Sequence, residues 1–168
     1  MTSTWFLYLS AFTVISVSLS ASLFLVFSDF IMRSLKLSAI PAGIEVMQII
    51  NREIWKSLTM ILLWGNLLLT SGLAAYAYFY MTGPAIPLLI LGAGLYVFGV
   101  YLVTFTTNVP MNNRLDRLAY ASTEAATYWQ TGYVSRWIFW NYIRAIATAG
   151  SAACFLVASL WLAQSLAI

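Results

Sequence analysis

"SLTMILLWGNLLLTSGLAAYAYFYMTGPAIPLLILGAGLYVFGVYLVTFTTNVPMNN" fills residues 57–113 without a single charged side chain. A helix crosses a bilayer with about 20 apolar residues, so this run holds two spans. Met81-Thr82-Gly83-Pro84 is the break between them. Gly and Pro punctuate chains, and Pro84 cannot continue the preceding helix. Working outward, residues 1–28 carry no charge, and neither do residues 145–168. Of the 168 residues, 62% are hydrophobic and 8% charged, where a soluble domain carries about 25% charged. The sequence therefore predicts a single transmembrane domain over residues 1–168, with spans near 5–30, 57–81, 86–107 and 137–165. Helices are the expected spanning structure, because irregular backbone leaves amides unsatisfied against lipid. The first apolar stretch is too long for a signal peptide and has no basic residue before it.

The basic residues set the topology. Arg33, Lys36, Arg52 and Lys56 lie between the first two spans; Arg114, Arg117 and Arg136 lie between the last two; Arg144 sits just inside the fourth. Four spans place both charged connections on one face, and the positive-inside rule makes that face cytoplasmic. The expectation is a multi-pass protein of the cell (inner) membrane with both termini on the non-cytoplasmic side. The net charge of +3 then reflects topology. Dispersed basic residues that flank spans are not a nucleic-acid footprint. The lone Cys154 has no intrachain disulfide partner and reads as a packing residue. The chain has no histidine, which removes His-ligated haem, the common His-based zinc and iron sites and every His general base. No metal and no cofactor are expected.

The charged connections are themselves patterned. In "PAGIEVMQIINREIWK" (41–56), Ile44, Met47, Ile50/Asn51 and Ile54 recur at helical spacing, with Glu45, Gln48, Arg52 and Glu53 mostly between them. That is an amphipathic helix at the membrane interface. Residues 112–136 are read the same way, with Leu115, Leu118, Tyr128, Trp129 and Tyr133 set against Arg114, Asp116, Arg117 and Glu124. The predicted fold is an all-α integral membrane four-helix bundle with two interfacial amphipathic helices. The order span, interfacial helix, span then occurs twice, although the halves do not align residue by residue. Gly92, Gly94 and Gly99 in the third span, and Ala145, Ala147, Ala149, Gly150, Ser151, Ala152 and Ala153 in the fourth, allow close helix approach. They serve either packing within the chain or a homo-oligomer or larger membrane assembly.

Three polar groupings carry potential chemistry. In "FSDFIMRSL" (27–35), Asp29 and Arg33 stand four apart on one helix face. They form either an interfacial ion pair or a carboxylate at the mouth of a cavity. In "WIFWNYIR" (137–144), Trp137, Trp140, Asn141 and Arg144 make one stripe, continued by Thr148 and Ser151. A charge inside a span is costly unless it is paired, hydrated or able to snorkel. The polar residues deeper along the stripe favour an inward-facing Arg144 over a snorkelling one. At the end of the third span stand Thr104, Thr107, Asn108, Asn112 and Asn113, where Asn108-Val109-Pro110 breaks or kinks the helix. Those asparagines either cap freed carbonyls or donate into a pocket. Asn66, alone in the second span, reads as interhelical glue. In a four-span bundle the other polar groups meet at one end. A cation, amide donors, Trp and Tyr rings and one carboxylate suit a flat lipophilic aromatic that bears negative charge on oxygen, entering from the lipid bilayer.

At these residues the sequence resembles the anthrone oxygenase-like family of small four-span membrane proteins, much of it described only as a domain of unknown function. Three blocks carry the likeness: "FSDFIMRSL" followed by "PAGIEVMQIINREIW", then "TNVPMNNRL", then "YWQTGYVSRWIFWNYIR". They span about residues 20–148. The resemblance implies cofactor-independent oxidation of an anthrone to an anthraquinone by molecular oxygen. Members often carry Trp-Asn-His where this chain has Trp140-Asn141-Tyr142, so any role of that histidine is absent or passes to Tyr142. Under this reading Arg144 with Asn108, Asn112 and Asn141 stabilises an oxyanion, Trp137 and Trp140 stack on the ring, and Asp29 is the base. The contrasting expectation is a non-catalytic accessory subunit or quinone- or lipid-binding membrane protein. An enclosed pocket with Arg144 and the asparagines pointing inward favours the enzyme.

Overall fold

The computed structural model describes residues 4–166, and among them there is helix and no strand. Four helices are long and apolar enough to cross a membrane: α1 (Thr4–Leu37), α3 (Leu58–Tyr80), α4 (Ala85–Asp116) and α5 (Thr123–Ser165). A shorter helix, α2 (Ile40–Glu53), joins α1 to α3. α1 packs on α3 and α5, and α4 packs on the same two helices. The four spans therefore stand at the corners of a square, with sequence neighbours antiparallel.

The interior explains this arrangement. On α1 the buried polar residues Ser10, Thr13, Ser16 and Ser20 follow one face, and that face meets Asn66 of α3. Ser16 Oγ donates to Asn66 Oδ1 at 2.6 Å, and Asn66 Nδ2 donates to the Ser16 carbonyl and to Ser20 Oγ at 3.2 and 3.0 Å. The Tyr96 hydroxyl of α4 donates to the Leu63 carbonyl of α3 at 3.1 Å. Asn66 is thus the interhelical tie that its lone position in an apolar span predicted. Between α4 and α5 the contact is by small residues. A Cβ placed on Gly99 would lie 2.3 Å from Cβ of Ala147, and one on Gly92 would lie 2.9 Å from the Phe155 ring. Gly94, expected to serve the same contact, has open space beside it. We expect Gly99→Ala to lower stability by about 1–3 kcal/mol through overpacking, while Gly94→Ala does not. Thermal unfolding of both variants in detergent checks this.

The charged end differs from its expected form in one respect. Residues 112–136 are not a second interfacial helix. They are the ends of α4 and α5, joined by the turn at 117–122. The chain does not break at Pro110 because the preceding turn, Thr104–Asn108, is wound as a π-helix, and the Val109 amide reaches back five residues to the Thr104 carbonyl. The wider turn gives the proline ring room, and helical winding resumes through Asp116. The repeat of span, interfacial helix and span is therefore absent: α2 has no counterpart between α4 and α5. α2 lies across the end of the bundle with Ile44, Met47, Gln48 and Asn51 buried. Gln48 Nε2 donates to the carbonyls of Leu115 and Leu118, both at 2.8 Å. The Leu115 carbonyl lies in the last turn of α4 and the Leu118 carbonyl just beyond it, where a helix end runs short of backbone donors. Arg52 Nε meets Asp116 Oδ1 at 2.7 Å.

Candidate functional site: a polar pocket beneath the interfacial helix

α5 carries the central cation. Arg144 is 7% exposed. One terminal nitrogen donates to Thr104 Oγ1 of α4 at 3.1 Å, and the other donates to Asn141 Oδ1 one turn back. The guanidinium carbon sits 4.5 Å from the centroid of the Phe24 ring and 5.8 Å from that of Trp137. Its Nε has no partner. Among the described residues the ion pairs are Arg52–Asp116 and Lys56–Glu53, so no carboxylate compensates Arg144. Taking a charge out of water costs several kcal/mol even after relaxation, on the order of what an opposite charge must restore. Aromatic faces return only about 0.5–2 kcal/mol.

Asn141 is the anchor for that cation. Its Nδ2 donates to the Phe24 carbonyl and to Ser28 Oγ, both at 2.6 Å. Ser28 lies in a π-helical turn, Phe27–Ile31, and Thr104 and Asn108 lie in another. A third, Trp129–Tyr133, presents the Tyr133 hydroxyl. π-turns occur often at functional sites because they re-aim side chains. Here the first two supply lining residues, Phe27 from one and Thr104, Phe105 and Asn108 from the other, and the third stands behind Asn112 through the Tyr133 hydroxyl. A second network sits nearer the surface. Asn112 Oδ1 accepts from the Tyr133 hydroxyl at 2.8 Å and from Trp137 Nε1 at 2.9 Å. Asn51 Nδ2 of α2 donates to the same Tyr133 oxygen at 3.4 Å. Asn108 Nδ2 points at the Trp137 carbonyl at 3.5 Å. Asn112 has donated neither of its amide hydrogens among the described residues.

Between these networks lies a cavity of about 210 Å³. Small-ligand pockets run from roughly 300 Å³ upward, so the space fits one compact ring system rather than a whole lipid. Phe24, Phe27, Met47, Ile50, Met60 and Leu63 make an apolar wall. Thr104, Asn108, Asn112 and Asp116, each four residues after the last, form a polar stripe along α4 that also lines the space. Asn141 and Arg144 close it from α5. Arg52, Asn113 and Asp116 stand at the outer rim.

The structure brings together five of the expected site residues: Asn108, Asn112, Trp137, Asn141 and Arg144 all line the cavity. Three others fall elsewhere. Asp29 is exposed on α1 and outside the lining. Its neighbour Ser28 faces inward to Asn141, and one residue is a quarter turn or so of helix. Asp29 also forms no ion pair with Arg33. Trp140 is half-buried against Phe139 rather than along the cavity, and Tyr142 is likewise off the lining. The carboxylate at the rim is Asp116, on a different helix from the expected one. Phe24, Ser28 and Asn51 were not singled out as site residues. Asn51 had a signal, as an amide on the apolar face of α2, and Ser28 extends the Ser10-to-Ser20 face of α1. Among the described residues no group of three His, Cys, Asp or Glu side chains is placed to hold a metal ion.

The chain is a small four-span helical bundle in which a buried cation without a carboxylate partner lines an open cavity. Residues 55–154 match the Anthrone oxygenase family, and the chain belongs to it. The matched region contains Arg144, Asn141, Trp137 and the α4 stripe; α1 and α2 lie before its start. No curated protein and no solved structure matches the chain.

Proposed function

We propose that the pocket binds a flat, lipophilic phenol or anthrone through an oxygen that carries negative charge against Arg144, and promotes its oxidation by molecular oxygen without a cofactor. The observation that carries this reading is the buried Arg144, open to the cavity and without a carboxylate partner. An anionic oxygen at that point supplies the missing compensation, and the uncommitted Asn112 amide adds a donor. The apolar wall from α1, α2 and α3 takes the ring face. Asn141 acts on the ligand only through Arg144, since its own groups are spent on Phe24, Ser28 and the guanidinium.

The chemistry balances without a further reagent. An anthrone loses a proton from the carbon opposite its carbonyl, and the charge moves to the carbonyl oxygen. The electron-rich anion passes one electron to O2, and the radical pair joins as a carbon–oxygen bond. The peroxide takes up a proton. Loss of the second carbon-bound proton with cleavage of the O–O bond releases water and leaves the quinone. The protein's share is to hold the ring and favour the anion, which lowers the barrier where charge develops. By the positive-inside rule the pocket opens on the cytoplasmic side, within reach of molecules dissolved in the bilayer.

Oxygen uptake and quinone absorbance are measured with purified protein in detergent after addition of emodin anthrone, beside a protein-free blank. A rate well above the blank supports the oxidation. A rate equal to the blank rejects this substrate and leaves a pocket that binds without turnover.

A further inference from the structure

We propose that no proton acceptor of this pocket reaches a ligand held at Arg144, so that the ligand is a weak acid bound as its own anion, with the proton given up to water. This rests on the reading that Arg144 faces the ligand's oxygen. It narrows the substrate class to phenols and enols acidic enough to ionise unaided beside a cation.

The inventory of groups around Arg144 carries the inference. Phe24 lies against the guanidinium from α1 and Thr104 bonds to it from α4; Ser28 stands behind Asn141, and Met47, Asn51, Met60, Leu63 and Asn108 line the rest of the inner cavity. Trp137 and Asn141 flank it on α5. None of these is a base near neutral pH. The closest phenols, Tyr96 and Tyr133, hold their protons in hydrogen bonds to the Leu63 carbonyl and to Asn112 Oδ1. The ionisable residues of the lining are Arg52, Asp116 and Arg144. Asp116 is clasped by Arg52 at 2.7 Å. It stands twelve residues beyond Thr104 on one helix, at most about 18 Å along its axis at the α-helical rise and somewhat less across the π-turn at Thr104–Asn108. A general base must come within about 3 Å of the proton it takes, or act through one water. A compact ring system with its oxygen on the guanidinium does not span the remaining distance. The other carboxylates, Asp29, Glu45, Glu53 and Glu124, are exposed and outside the lining. There is no histidine.

A site of this kind selects by acidity. The cation favours the charged form of whatever oxygen it meets, so the ligand's own pKa, rather than that of a side chain, sets the pH at which it binds. Enzymes with a protein base behave oppositely: their profiles inflect at the same pH for every substrate.

The test uses the wild-type protein in detergent with naphthols bearing increasing numbers of electron-withdrawing groups, which lowers their pKa stepwise from the ordinary phenol value of about 10. Binding is read by tryptophan quenching and by the absorbance of the bound naphthol. The expected result is a naphtholate spectrum in the complex at pH values below the free pKa. Apparent affinity should rise about tenfold per pH unit up to each ligand's own pKa and stay level above it, so the inflection moves from ligand to ligand. A common inflection that shifts in Asp116→Asn, a neutral spectrum in the complex, or no binding by any naphthol overturns the proposal. Naphtholate binding with no anthrone oxidation leaves it standing and removes the oxygenase reading. Anthrone oxidation with a fixed inflection does the reverse.

Discussion

Arg144→Met is expected to reduce anthrone oxidation about 10²–10³-fold, the loss seen when one preorganised oxyanion donor is removed, without a matching loss of stability. Met has nearly the length of Arg and keeps the space filled. Two effects on folding oppose each other. Removing a buried cation that has no carboxylate relieves a desolvation cost, and replacing buried charges with apolar side chains is often neutral or stabilising by about 1–4 kcal/mol. Against this, Asn141 Oδ1 and Thr104 Oγ1 each lose a partner, at about 1–3 kcal/mol apiece. The melting temperature in detergent should therefore stay near that of the wild type while turnover collapses. A structural arginine would give the opposite pattern: a large drop in melting temperature with residual activity per folded molecule unchanged. Arg144→Lys should fall between, because a compact ammonium keeps the charge but cannot reach Thr104 and Asn141 as a planar fork does. Rates per folded protein and unfolding curves on the three proteins decide it.

The architecture was legible where lipid dictates it. Charge-free runs and Gly83-Pro84 placed the four spans, and the missing charges left helices as the solution. The spans run longer at the charged end than predicted, and residues 112–136 continue two of them instead of forming an interfacial helix, for one reason. Amphipathic periodicity shows that a segment is helical with two faces; it does not show whether it lies flat or continues a span. Pro110 predicts a break between the two, and the π-turn before it carries the helix through instead. The polar lining of the cavity was legible at Asn108, Asn112, Asn141 and Arg144 because polarity inside an apolar run has few explanations. Asp29 shows what spacing leaves open. Its distance in sequence from Arg33 fixed a shared face, but which face met the bundle was decided by Ser28 and Asn141, residues more than a hundred positions apart. Trp140 failed similarly: a stripe three to four residues wide has two edges, and only Trp137, tied to Asn112, turned inward.

Asn141 separates support of the cation from chemistry, and two substitutions there should diverge. Asn141→Leu takes the partner from the Phe24 carbonyl, from Ser28 Oγ and from one arm of Arg144, all buried or partly buried. Each unpaired group costs about 1–3 kcal/mol, and more when charged, so a loss of at least about 3 kcal/mol is expected. For a chain of this size that is roughly 2–4 °C in melting temperature per kcal/mol. The α1–α5 contact should loosen first, since Asn141 bonds to both Phe24 and Ser28 of α1. Asn141→Asp keeps the shape and an oxygen toward Arg144, and it supplies the carboxylate that the guanidinium lacks. Ser28 can turn its hydroxyl to donate, and the main debit is a carboxylate facing the Phe24 carbonyl. The Asp variant should therefore be clearly more stable than the Leu variant. Yet it should neither bind the naphtholate probe nor oxidise anthrone, because the cation is already paired and the added charge repels the ligand's oxygen. If Asn141→Asp keeps wild-type affinity for the anion, Arg144 is not the group that receives it. A stable protein that has lost the anion would show that the guanidinium of Arg144 is the group that receives the ligand's oxygen.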